Sequence, residues 1–399
     1  MITVYPKPPQ DISVGDYTSK GRLKVSNPEV IFFNTFQYGI ETDVWDTGTA
    51  NGGTAVFDAA TSSIDMAVTS TINSECIRQT YNVQRYIPGR ASELTFAIKL
   101  TTPVTGIRRR FGLFDGTDGV YFEDNGGDYA CVLISSGTVT RVARASWNGD
   151  KLDGGGVSGF TADATAQQII CFDYEWYGAG QVVISFVINN EKRVVHTFNT
   201  GNVLPTPWCK TPFLPIRCEL KNTTGASGTH HMYQGSNSLV SDGGSIRLGT
   251  PQNALTPLAG ITLTTANTFY PVLSIRLKST TLGGVALPLS FQASSLDNTS
   301  VFYKIIRNAT LNGTFVDQAD TNAFTQYNVT ATGAVTDGIV IDSGYVGSGN
   351  TAIINLNQNV SYQIGRSALG TVSDTFTIAI AAVNANKSGI ASLTWIEQR

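Results

Sequence analysis

Asp173 and Glu175, in the segment 167–200 (QQIICFDYEWYGAGQVVISFVINNEKRVVHTFNT), are the side chains best placed for catalysis. On an extended strand a spacing of two puts both carboxyls on one face and leaves Phe172, Tyr174 and Trp176 on the other. Retaining glycoside hydrolases use two carboxyls about 5–5.5 Å apart, and positions i and i+2 of a strand lie about 6.5–7 Å apart. Distance alone does not exclude the pair. However, the third acid of an E-x-D-x-E pattern is replaced by Cys171, and a wet, charged strand face accounts for two acids without any chemistry. No enzyme is expected, and no catalytic residue is assigned.

Other chemistry is thinner. Asp115, Asp118, Glu123, Asp124 and Asp128 crowd the stretch 112–128, GLFDGTDGVYFEDNGGD, where oxygen ligands could hold calcium. Their spacing is not that of a D-x-[DN]-x-[DN]-G loop, and turns favour Asp and Gly anyway. His230 and His231 are neighbours on an expected strand and point to opposite faces. His196 stands alone, and G-x-S-x-G, H-E-x-x-H and G-x-x-x-x-G-K are absent, so no metal or cofactor is expected. Tyr174, Trp176, Tyr177, Trp147 and Trp208 offer flat apolar faces with a polar edge, the chemistry that stacks on sugar rings. Tyr177, at a turn, is the best of them, and Arg109 in the run 108–110 could meet an anionic glycan, although basic residues also blunt strand edges.

The elements around these residues read as β throughout. Segments 168–176, 181–188 and 192–198 are apolar strands joined by Tyr177-Gly178-Ala179-Gly180 and Asn189-Asn190-Glu191, and the middle one is apolar enough to sit at the centre of a sandwich. In 93–100, Leu94, Phe96, Ile98 and Leu100 alternate with Glu93, Thr95, Ala97 and Lys99, which implies one buried and one wet face. More than ten such strands precede residue 245, and alternation resumes at Leu273, Ile275, Leu277 and at Phe376, Ile378, Ile380, with Pro288 suggesting an edge strand. The expected organisation is all-β: an extended N-terminal arm (1–28), a β-sandwich (29–245) and a smaller C-terminal β-sandwich (246–399). Pro8, Pro9, Arg22, Leu23 and Val25 are the arm's candidate assembly contacts.

Composition sets bounds. Only 14% of the 399 residues are charged, and the formal net charge is −3, which argues against a nucleic-acid surface. No run of eighteen apolar residues is present for a membrane helix, and the amino terminus lacks the pattern of a secretory signal. Five cysteines, an odd number within apolar strands, fit buried free thiols and synthesis in a cytoplasm.

The strand order across 167–200, preceded by the hairpin 111–135, resembles the concanavalin-like jelly roll. The motifs GRLKVSNP (21–28), Tyr86-Ile87-Pro88-Gly89, Phe111-Gly112-Leu113-Phe114-Asp115 and Asp173-Tyr174-Glu175-Trp176 also resemble virion structural proteins of tailed bacteriophages, especially cyanophage-like ones. That likeness covers roughly 18–245. It implies a non-enzymatic particle component, a fibre, tail, neck or capsid-decoration protein, made in the host cytoplasm and docked into the virion. It further implies other virion proteins as partners, a homo-oligomer for which fibre architecture suggests a trimer, and contact with host surface glycan. The alternatives are a lectin-like carbohydrate-binding module and, behind it, a glycan hydrolase using Asp173 and Glu175.

Overall fold

A computed structural model describes residues 28–243, 249–356 and 362–398. The chain forms two compact units, one of residues 28–80 and 84–243, the other of 81–83, 249–356 and 362–398. Both are antiparallel β-sandwiches, and the chain is all-β.

In chain order the first unit contains β1 (Glu29–Asn34), β2 (Trp45–Ala50), β3 (Thr54–Asp58), β4 (Ser63–Val68), β5 (Glu75–Thr80), β6 (Ser92–Lys99), β7 (Ile107–Phe114) and β8 (Gly119–Asn125). There follow β9 (Asp128–Ser135), β10 (Thr138–Ala143), β11 (Gln168–Tyr174), β12 (Val182–Ile188), β13 (Glu191–Phe198), β14 (Ile216–Asn222) and β15 (His230–Ser241). One sheet runs β13-β12-β11-β6-β15-β4-β3, with β1 also paired to β15, and the other runs β10-β9-β8-β7-β14-β5-β2. The period-two pattern positions the core: Leu94, Phe96 and Ile98 of β6 are fully buried, while Thr95, Ala97 and Lys99 face the other way and are half-buried. The sheets are joined by interlocking aromatics, Phe96 against Phe111 at 5.5 Å and Phe122 against Phe186 at 5.6 Å between centroids.

Two expectations about position are corrected. The strand trio β11–β13 lies at one end of its sheet, with β13 as the edge and β12 next to it. β12 is buried on both faces because its outward side is covered as well, not because it is central. The arginine run 108–110 is not at an edge: β7 pairs with β8 on one side and β14 on the other.

The second unit packs a sheet containing β16 (Thr250–Leu255), β17 (Ile261–Leu263), β19 (Val285–Ser295), β24 (Ala352–Asn355) and β26 (Lys387–Gln398) against a second sheet. The latter contains β18 (Tyr270–Leu277), β20 (Val301–Arg307), β21 (Val316–Asp317), β22 (Thr325–Asn328), β23 (Ile339–Val346) and β25 (Thr375–Ala382). Phe291, Leu393 and Trp395 from one sheet and Ile275, Ile305 and Ile378 from the other fill the core. Pro288 does not mark an edge strand, because β19 pairs with both β26 and β24. Its missing N–H is accommodated at a bulge, where the register against β26 shifts between Pro288 and Ser290.

Candidate functional site

The turn between β11 and β12 places Tyr177 at the surface, 42% exposed. Its backbone is left-handed, with φ 39°, and Gly178 follows at φ 76°. Glycine and asparagine suit such positions, and a tyrosine there is strained. Three contacts hold the turn: Gly180 N–H donates to the Trp176 carbonyl at 2.8 Å, Trp208 N–H to the Gly178 carbonyl at 3.0 Å, and the Thr200 hydroxyl to the Gly180 carbonyl at 2.7 Å. The phenol lies over Gly89, where a Cβ would stand 2.8 Å from the Tyr177 hydroxyl oxygen. Tyr177, Gln181, Asn199, Thr200 and Gly201 line a cleft of about 380 Å³ whose side-chain polar groups are neutral amides and hydroxyls.

Beside it, sharing Asn199 and Thr200, a second pocket of about 710 Å³ opens between the edge strands β10 and β13 and the loop 199–210. Leu133, Phe198, Val203, Leu204, Pro207 and Trp208 supply its apolar wall, and Ser135, Ser136, Thr138, Thr140 and Thr206 bring hydroxyls. Lys210 is the charged residue of the lining, and its side chain is exposed. The loop is anchored by backbone: Lys210 N–H donates to the Asp118 carboxylate at 2.6 Å, and the Ser135 hydroxyl to the Pro207 carbonyl at 2.9 Å. Trp208 is 3% exposed, and its indole Nε1 has no hydrogen-bond partner.

Of the aromatic residues expected from sequence to stack on sugars, Tyr177 and Trp208 line these openings. Arg109 is fully buried: it donates to the Asp124 carboxylate at 2.7 Å and to the carbonyls of His231 and Thr102 at 3.1 and 3.2 Å, so it cannot meet an external glycan. Trp147 is 4% exposed, its Nε1 donates to the Val142 carbonyl, and its ring packs on Phe122, so it is core. Trp176 is half-buried, edge-on to Tyr86, with its Nε1 spent on the Cys209 carbonyl. Pro8, Pro9, Arg22, Leu23 and Val25 of the arm lie outside the described residues. Sequence reasoning missed Gln181, Asn199, Thr200 and Leu204. The signal available was a proline-bearing loop, TGNVLPTPWCK (200–210), between two apolar strands.

The two suspected acids differ in exposure. Asp173 is half-buried on β11, in register with Glu93 of β6, whose carboxylate is bonded to Lys192. Glu175 lies beyond the strand's end and is 2% exposed. Burial first, and then the charge of Glu175, raises the Tyr86 phenol pKa above its ordinary value.

The acidic stretch 115–128 likewise divides between the two ends of β8. Asp115 accepts the amides of Thr117 and Asp118, Asp118 those of Ser136 and Lys210, and Asp124 the amide of Gly127 and the Arg109 guanidinium. Among the described residues no three His, Cys, Asp or Glu side chains group as a metal site.

The outward face of the β7, β8, β10 and β14 strands carries an ion-pair ladder. Arg110 and Arg141 each bind Glu123 at 2.7 Å, Arg217 binds Glu219 at 2.7 Å, and Arg108 and Arg110 approach Glu219 at 4.0 and 3.7 Å. Burial pushes the Glu123 pKa up, but the hydrogen bond from Arg141 and the charge of Arg110 more than reverse this and hold it below its ordinary value. A general acid needs the opposite shift.

No known protein family and no curated protein matches the sequence. Solved structures do. A glycosyl hydrolase family protein from Mycobacterium fortuitum is 12% identical at a TM-score of 0.38, covering 53% of this chain and 99% of its own. A legume lectin-like domain from Entamoeba histolytica is 13% identical at a TM-score of 0.31, covering 52% and 95%. Neither describes a virion component, and the phage likeness of the sequence gains no support from them.

Proposed function

We propose that the first unit is a non-enzymatic, lectin-like carbohydrate-binding domain whose sugar platform is Tyr177. The observation that carries this is an exposed aromatic ring kept in a left-handed backbone conformation that disfavours it, beside neutral amides and hydroxyls. A sugar presents an apolar C–H face and a rim of hydroxyls, and an aromatic plane flanked by Gln181, Asn199 and Thr200 complements both. Glu175 is buried and Glu93, beside Asp173, is bonded to Lys192, which favours binding over cleavage. The short virion-like motifs would set such a domain on a phage particle, with host surface glycan as its target.

The test is a glycan array probed with the purified chain, followed by titration of the hits against Tyr177→Ala. Loss of one stacking platform is expected to weaken binding about tenfold, equivalent to ~1.4 kcal/mol. Binding to no glycan, or undiminished binding by the variant, would overturn the reading. Reducing sugar released from a bound glycan, and lost in Asp173→Asn, would instead restore the hydrolase.

A further inference from the structure

Resting on that carbohydrate reading, we infer that the ligand is an acylated glycan, with one sugar on Tyr177 and the neighbouring, acyl-bearing sugar in the 710 Å³ pocket. The two openings share the wall formed by Asn199 and Thr200, so one oligosaccharide can enter both. They differ in chemistry. The smaller cleft offers Tyr177 and neutral polar groups, as an unsubstituted sugar requires. The larger is floored by Leu133, Phe198, Leu204 and Trp208, and a bare hydroxyl pressed against those side chains would lose its water without gaining a partner.

An acetyl group changes that balance. Its methyl covers the apolar side chains, and its carbonyl oxygen accepts from a hydroxyl of the rim, where Thr138 and Thr140 are exposed on β10. The pocket volume lies within the ~300–1,000 Å³ usual for small-ligand sites, ample for a sugar ring with its substituent. N-acetyl and O-acetyl groups share this chemistry.

The experiment is calorimetric titration of the full chain with two matched pairs. Chitotetraose is compared with cellotetraose, which has a hydroxyl in place of each acetamido group, and O-acetylated xylotetraose with the same oligosaccharide after alkaline deacetylation. The acetylated member of at least one pair is expected to bind about tenfold more tightly, and the pair showing the preference identifies the linkage. Thr140→Trp, which fills the pocket from an exposed edge-strand position, is expected to erase the preference by weakening binding of the acetylated member. Thr138→Val, which keeps the branched shape and removes a rim hydroxyl, is expected to reduce the preference.

Equal affinity within both pairs would overturn the acyl assignment and leave the carbohydrate reading standing. A preference that survives Thr140→Trp would overturn the assignment of this pocket. Binding to none of the four, together with a blank array of neutral, acylated and acidic glycans, would remove the carbohydrate reading itself.

Discussion

At the scale of single residues, two side chains show opposite compromises. A non-glycine residue in left-handed backbone costs about 1–3 kcal/mol, and asparagine tolerates that region better than tyrosine. Tyr177→Asn is therefore expected to leave the melting temperature unchanged or raise it while weakening glycan binding about tenfold, because it relieves backbone strain and removes the platform. A clear fall in melting temperature would make Tyr177 a structural residue. Arg109 presents the reverse case, a charge held inside by Asp124 and by backbone carbonyls. Breaking a buried pair by removing one partner costs ~3–5 kcal/mol, whereas replacing both with apolar residues is often neutral. Arg109→Met alone should thus destabilise strongly in denaturant unfolding, and Arg109→Met with Asp124→Leu should recover much of the loss. Period-two parity in RRRFGLF (108–114) already separates Arg109, which shares a face with Phe111 and Leu113, from Arg108 and Arg110. Treating the three arginines as one surface patch hid that distinction.

At the scale of elements, what was legible followed periodicity. β6 and β11–β13 could be read directly because apolar alternation and Gly or Asn turns are local signals. Their lateral order was not legible: β11 pairs with β6 and β15 lies between β6 and β4, pairings made across long stretches of chain. The pocket was hidden for a related reason. Its walls are two edge strands and a loop without periodicity, and only sheet order brings β10 and β13 to the same end of the sandwich.

The second unit has its own element-scale clasp. Buried Glu397 on β26 accepts the amides of Phe324 and Thr325 at 3.0 and 3.1 Å and the Thr325 hydroxyl at 2.6 Å, tying the start of β22 to the opposite sheet. Glu397→Ala would strand those donors, and a loss of about 3 kcal/mol is expected. Retained stability would mean that water replaces the carboxylate without penalty.

At the scale of the whole molecule, two units with separate cores are expected to unfold in two calorimetric transitions rather than one. Glu397→Ala should lower only the second unit's transition and Arg109→Met only the first, which assigns the peaks. Acid then tests the electrostatics. Asp58, Asp150, Asp163 and Glu123, all in the first unit, have carboxyls held below their ordinary values. The causes are the Thr61 hydroxyl and Ala60 amide for Asp58, and the Thr165 hydroxyl and amide for Asp163. At Asp150 burial acts upward but is outweighed by hydrogen bonds from Ser158 and Leu152, and at Glu123 it is outweighed by Arg141 and Arg110.

A carboxyl whose folded pKa lies below its unfolded one contributes stability that is complete above the unfolded value and is lost as pH falls through the folded value. The ordinary values are 4.5 for Glu123 and 3.8 for the aspartates, so the loss should begin near pH 4.5 and deepen below 3.8. Asp124 opposes the trend, because burial raises its pKa and protonation relieves it. With four groups acting one way and one the other, the first unit's transition should fall more than the second's between pH 6 and pH 3. Equal displacement of the two peaks would show that these hydrogen-bonded carboxylates do not govern the acid stability of the sandwich.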